Sequence, residues 1–169
     1  AILLTTPFAV AAENDAQQLL KQGYFWLDKG QPQQARDAWH KALRIAPDNA
    51  EAKRSLNLLD DLPSISETAL TEARTLAQAE NYPAAIAAYR NAFGSDTPPL
   101  SLATEFYETL AATDDGWQTS VLALTELQDQ YPSHSRLTLS LARIQTYREF
   151  TRRRGIQTLE QLSRTPGLH

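Results

Sequence analysis

The chain has 169 residues, a formal net charge of −4 and no cysteine. That length allows one or two ordinary domains. The acidic balance excludes a global basic field for nucleic acid or an anionic membrane. The absence of thiols excludes disulfides, thiol nucleophiles and thiolate metal sites.

The first dozen residues, Ala1 to Ala12, are apolar and uncharged and end in small side chains. Ala9-Val10-Ala11 fits the small-x-small pattern of a signal-peptidase site, and Glu13 follows at once. Residues 1–12 are therefore read as the remnant of a secretory signal. The competing reading is a vector-derived or simply apolar N-terminal segment. No other stretch is apolar enough to span a bilayer. Asn14 or Asp15 is expected to cap the first helix, which runs to about Lys29.

Residues 16 to 49 carry a regular series. With Ala16 as position 1, Leu19 falls at 4, Gly23 at 8, Trp26 at 11 and Gly30 at 15. Ala35 falls at 20, Trp39 at 24, Ala42 at 27 and Pro47 at 32. Small residues recur where two helices touch, aromatics where they wedge, and Pro where the unit ends. That is the tetratricopeptide pattern. Gly30 breaks the first helix and Pro32 starts the second, where its missing N–H costs nothing. Asp48 and Glu51 have the spacing of a capping box, opening a helix from about Asn49 to Asp61.

Leu62-Pro63-Ser64 interrupts the series. Residues 13–61 thus form a first repeat plus an extra helix, and 62–66 a linker and hinge, since Pro63 breaks the helix and few side chains there bury. Residues 67–169 hold further repeats, the last divergent. Ser64 and Glu67 make a second capping-box spacing. Counted from Ser66, the next unit puts Ala69, Ala73 and Leu76 at positions 4, 8 and 11, and Ala85, Tyr89 and Ala92 at 20, 24 and 27. Asp96-Thr97-Pro98-Pro99 is a loop. A third unit pairs helices near Leu100–Ala112 and Trp117–Gln130, split by Asp114-Asp115-Gly116. A fourth spans about Ser135–Ser163. The fold class is all-α: seven to nine helices in a right-handed α-solenoid of antiparallel pairs, with no sheet. Such arrays bind partners along their surfaces.

Catalytic signals are weak. His40, His134 and His169 are spread through the repeats and read as solvent-facing. Asp60-Asp61 and Asp114-Asp115 fit turns and caps better than the facing carboxylates of a glycosidase. No phosphate loop, nucleophile elbow or metalloprotease motif occurs. The chain is therefore read as non-enzymatic, with no catalytic residue, metal or cofactor.

Binding candidates lie on the predicted concave face: Leu20, Tyr24 and Leu27 at helical spacing in the first repeat, and Arg74 at position 9 of the second. Trp26 is assigned to the core by its repeat slot. Tyr24 is left either as an exposed aromatic with a polar tip or as a ring covered by the neighbouring helix. A carboxylate clamp of Lys and Asn is missing from the inner positions. Near the C-terminus, Arg143, Arg148, Arg152, Arg153 and Arg154 make a basic stripe. Arg148 and Arg152 are one turn apart, and Glu149 and Arg153 have ion-pair spacing. A solvated, salt-bridged face is one reading, and a docking patch for an acidic partner or the next repeat is the other.

An ordered series fills the C-terminal half. It runs Gly116-Trp117, Leu124-x-x-Leu127, Pro132, Leu139-x-Leu141-Ala142, Thr146-Tyr147-Arg148-Glu149, Thr151-Arg152-Arg153 and Gly155-Ile156. Before it come Ala84-Ala85-Ile86, Tyr89, Phe93, Pro98-Pro99 and Phe106-Tyr107. Over about residues 66–165 the chain resembles the N-terminal repeat region of the C component of bacterial cellulose synthase, the part concerned with export. The resemblance implies a periplasmic, outer-membrane-associated scaffold of a cellulose synthesis and export complex. Its partners would be other proteins of that complex. Membrane contact would come only through a C-terminal export barrel that this chain does not contain, and nucleic acid has no part. Two alternatives stand beside it. One is a carbohydrate-binding module guiding the nascent glucan, with Tyr24, Tyr82, Tyr107 and Trp117 as stacking candidates. The other is a generic repeat co-chaperone or adaptor.

Overall fold

A computed structural model describes residues 7–60 and 64–164 of the chain. Nine α-helices are present among the described residues, with no strand. They are α1 (Pro7–Asp28), α2 (Pro32–Ile45), α3 (Ala50–Asp60), α4 (Glu67–Gln78), α5 (Tyr82–Phe93), α6 (Leu100–Ala111), α7 (Gly116–Gln130), α8 (Ser135–Gln145) and α9 (Glu149–Ser163). Among the described residues no helix is long and apolar enough to cross a membrane. The helices fall into two compact units: Ala1–Leu62 with Tyr131–His134, and Pro63–Gln130 with Ser135–His169.

In the first unit, α1 begins at Pro7, well before the expected caps Asn14 and Asp15. Ala9, Ala11, Ala12 and Glu13 are good helix formers, so the helix runs through the polar pair. Of the expected signal remnant, residues 1–6 lie outside the described residues and Pro7–Ala12 form the opening turns of α1. α1 and α2 pack through Gly23 and the fully buried Trp39, whose Nε1 donates to the Leu20 carbonyl at 3.3 Å. A Cβ on Gly23 would overlap the Trp39 indole. Between the two helices, Gly30 takes a left-handed conformation with φ 69°. Asn49, not Asp48, caps α3: its Oδ1 accepts from the Ala52 amide at 2.8 Å. Asn49 directly precedes the first helical residue, and Glu51 is buried instead of reaching back to the cap.

The second unit is three helical hairpins: α4 with α5, α6 with α7, and α8 with α9. Ser66, not Ser64, caps α4, accepting from the Ala69 amide at 3.4 Å, because the helix starts only at Glu67. Ser66 also donates its backbone N–H to the Ala92 carbonyl at 2.8 Å. That bond ties the end of the expected hinge to α5, while Leu62 and Pro63 lie outside the described residues. Gly94 closes α5 as a left-handed cap. The aromatic core centres on Phe106, edge-on to Tyr89, Phe93 and Tyr107 with centroids 5.2–6.1 Å apart. Gly155 brings α9 against α8, where an added Cβ would stand 2.6 Å from the Ala142 carbonyl oxygen.

Candidate interaction cleft

The second unit carries a polar cleft of about 280 Å³ between α6 and α8. Glu105 and Glu108 line it from α6 with Thr104; Arg136, Leu139, Ser140 and Arg143 line it from α8. Residues three or four apart share a helix face, so each helix presents one charged row. Arg74 of α4 grips Glu105 with two bonds, from Nε at 2.7 Å and Nη2 at 3.0 Å. Tyr89 donates its hydroxyl to the same carboxylate at 2.5 Å. Arg143 Nη1 spans both oxygens of Glu108, at 3.1 and 3.0 Å, and Ser140 donates to that carboxylate too.

Burial pushes the Glu105 carboxyl up, but the hydrogen bonds from Arg74 and Tyr89 and the charges of Arg74 and Arg136 outweigh it. Its pKa therefore lies below the usual glutamate value. Burial, and then the bond to Glu105, push the Tyr89 phenol up. Tyr147, one turn beyond Arg143, is 43% exposed. Burial raises its pKa first, and next the charge of Glu108, with Arg143 opposing.

A second polar cluster lies inside the first unit. Tyr24 is only 2% exposed. It donates to Glu51 at 3.1 Å and shares a 2.6 Å hydrogen bond with Ser55. Glu51 also accepts from the backbone N–H and the hydroxyl of Ser133, both at 2.9 Å. His134, 1% exposed, stacks on Tyr24 with centroids 4.6 Å apart, and its Nε2 lies 3.5 Å from Asp28 Oδ1.

These placements revise the expected surface. Leu20, Tyr24 and Leu27 are core residues of the first unit, not a binding face, because α2, α3 and the Tyr131–His134 segment fill the space over them. The covered-ring alternative for Tyr24 is the one observed. Trp26 is only half-buried, leaving the core of this hairpin to Tyr24 and Trp39. Arg74 is exposed and joined to the α6 row. Of the remaining stacking candidates, Tyr107 and Trp117 are buried, and Trp117 donates Nε1 to the Ile144 carbonyl at 2.8 Å. Tyr82 is half-buried.

His40 is exposed as expected, but His134 is buried, and His169 lies outside the described residues. Among the described residues no three His, Asp or Glu side chains are grouped to hold a metal ion. In the basic stripe, Arg148 pairs with Asp114 at 3.5 Å and Arg152 donates to the Thr146 carbonyl at 3.1 Å. Those bonds, and not the expected Glu149–Arg153 pair, engage the stripe. Sequence reasoning missed Glu105, Glu108, Arg136 and Ser140 as one group. Their three- and four-residue spacing on α6 and α8 was the available signal.

No known family model matches the chain. Cellulose synthase operon protein C of Xanthomonas axonopodis pv. citri (strain 306) is 32% identical over 198 aligned positions, covering 95% of this chain and 13% of that protein. The protein of the same name from Komagataeibacter xylinus is 31% identical, covering 88% of this chain and 14% of its own length. That of Pseudomonas fluorescens (strain SBW25) is 29% identical over 95% of this chain and 15% of that protein. The chain thus spans about one-seventh of these relatives. A crystal structure of the flexible tandem repeat domain from the C component of bacterial cellulose synthase is similar at a TM-score of 0.46 and 22% identity, covering 90% of this chain and 76% of that one. Over nearly its whole length, this chain is homologous to a segment of the cellulose synthase operon protein C family.

Proposed function

We propose that the chain is a non-enzymatic scaffold segment of a cellulose synthesis and export assembly, acting in the periplasm. It would hold partner proteins and set their spacing towards an outer-membrane export barrel. The observation that carries this reading is the homology to cellulose synthase operon protein C across nearly the whole chain. The architecture supports it. Helical hairpins with small residues at their contacts bury a core between neighbours and leave the remaining helix faces as surface for partners. Ala35, Ala38 and Ala42 on α2, and Ala85, Ala88 and Ala92 on α5, are such contacts.

The test is co-purification. The tagged chain, directed to the periplasm of a cellulose-producing bacterium, is expected to enrich other products of the cellulose operon. Recovery no better than that of an unrelated helical-repeat protein contradicts the assignment.

A further inference from the structure

We propose that the cleft between α6 and α8 docks an extended acidic segment of a partner protein, whose side-chain carboxylates are taken by Arg136 and by the outer edge of Arg143. The inference rests on the scaffold reading above and adds the chemistry of the partner.

Charge sets the sign of the ligand. The cleft and the arginine that grips its wall hold three guanidiniums, Arg74, Arg136 and Arg143, against two carboxylates, Glu105 and Glu108. Both carboxylates already have matched partners. Arg74 takes both oxygens of Glu105, with Tyr89 on one of them, and Glu108 accepts from Arg143 and Ser140. An incoming carboxylate therefore meets neutralised pairs and one further cation. A cationic segment meets that surplus as repulsion, and a neutral chain gains no bond between opposite charges.

The surplus has a structural origin. Arg74, on α4, stands 31 residues before Glu105, and Arg136 stands the same interval after it. One repeat position thus reads Arg, Glu, Arg across three successive hairpins. The middle carboxylate is held by Arg74 through two bonds, so Arg136 adds its charge there without taking over that pair.

α8 presents the donors. Guanidinium carries five N–H groups in a fork suited to carboxylates. Arg143 meets Glu108 through Nη1, which leaves the Nε and Nη2 edge outside that pair. Its side chain is half exposed. Exposed pairs are weak, so this guanidinium can turn to hold two carboxylates at once. Arg136 and Arg143 stand two helical turns apart on α8, about 10 Å along its axis. Three residues of an extended peptide span about that distance. Between them, half-buried Leu139 offers an apolar contact. The volume of about 280 Å³ admits a few side chains and no flat surface such as a bilayer. The lining has neither Lys nor Asn, so this is not a carboxylate clamp for a chain end.

The experiment is amide NMR on the full chain, titrated with a short end-blocked peptide carrying glutamate at every third position. Its glutamine counterpart, cellohexaose and an oligogalacturonate are titrated beside it. The acidic peptide is expected to give saturable shifts at Arg136, Leu139 and Arg143, with the amides of α1–α3 unmoved. Binding should weaken several-fold between about 0.05 and about 0.5 M salt. Arg136→Gln and Arg143→Gln, both at exposed side chains, should each weaken it about tenfold. Glu108→Gln should tighten it, because a competing carboxylate is gone; a purely structural pair would give no gain. Unchanged spectra elsewhere would show that the variants remain folded. Silence at millimolar peptide, or affinity untouched in both arginine variants, overturns the site. Equal binding of the glutamine peptide or of cellohexaose overturns its charge selection, and preference for the oligogalacturonate overturns the choice of a protein. A chain that enriches operon products yet ignores the peptide sinks this inference and leaves the scaffold reading standing. Peptide binding without such enrichment supports the cleft and sinks the scaffold assignment.

Discussion

Tyr24 of α1 donates its phenolic hydrogen to Glu51 of α3, 27 residues later, across 3.1 Å of buried space. The same carboxylate holds the backbone and hydroxyl of Ser133, 82 residues further on. Buried polar atoms cost stability when left without partners, so one hydroxyl here supports several groups. Tyr24→Phe keeps the ring against Trp39 and His134 and removes only the oxygen. It is expected to lower unfolding free energy by about 1–3 kcal/mol, read from urea denaturation. A loss within error of zero would mean that water replaces the bond.

The same phenol makes alkaline stability measurable. Burial first, and then the charge of Glu51, push the Tyr24 pKa well above its ordinary value. The unfolded phenol titrates near pH 10. A raised folded value gives stability that is fully present below pH ~10 and lost as pH rises above it. Thermal melts from pH 8 to 11.5 should fall more steeply for the parent chain than for Tyr24→Phe. Parallel curves would refute this.

Glu105 should govern the acid side of the second unit. Its folded pKa is lowered on balance by Arg74 and Tyr89 despite burial. Stability from this group is therefore present above the unfolded glutamate value of about 4.3 and drains as pH falls below it. Glu105→Gln should unfold at lower urea than the parent near pH 7, with the difference closing towards pH 3. A gap that stays constant with pH would assign the loss to packing alone.

Much of this architecture was legible because hairpin contacts are local. Gly23 and Trp39 sit 16 residues apart in one repeat, and the slot pattern pairs small with large without knowing the rest of the chain. Prolines and glycines marked the turns for the same reason. The Tyr24–Glu51–Ser133 cluster was not legible, since nothing in helical periodicity says which side chain 82 residues away will meet a carboxylate. Tyr24 was consequently left open between surface and a covered ring, and His134 looked like solvent. Caps shifted by one or two residues because Ser64 and Ser66, or Asp48 and Asn49, compete for one position and the helix start decides. In the cleft, Arg74 was found by its repeat slot. The glutamates on α6 could not be singled out, since their arginine partners on α4 and α8 stand 31 and 35 residues away along the chain.

Repeat position 15 offers a further prediction. Gly30 and Glu80 both occupy it and both adopt left-handed backbone, with φ 69° and 59°. Only glycine does so without a Cβ conflict, which costs other residues about 1–2 kcal/mol. Glu80→Gly should therefore stabilise the chain, by up to about 1 kcal/mol after the entropy of the unfolded glycine is counted. Gly30→Ala should destabilise it by a similar amount. Denaturation midpoints moving the other way would show that neighbouring contacts outweigh the backbone.

Gly23→Ala tests the tight approach of α1 to α2. Helix propensity alone favours alanine by about 1 kcal/mol. Yet the new methyl would press on an indole with no exposed surface to move into. Overpacking typically costs about 1–3 kcal/mol, so net destabilisation is expected by calorimetry. A gain in melting temperature would mean that Trp39 swings aside.

The seating of the tryptophans gives the molecule two built-in reporters. Trp39 is sealed within the first hairpin, whereas Trp117 is anchored to the Ile144 carbonyl among α7, α8 and Phe150. Replacing Trp26 together with one of the other two leaves a single indole in a known half of the chain. Its emission during heating then follows the melting of that half alone, so cooperative and stepwise unfolding can be told apart without any added dye.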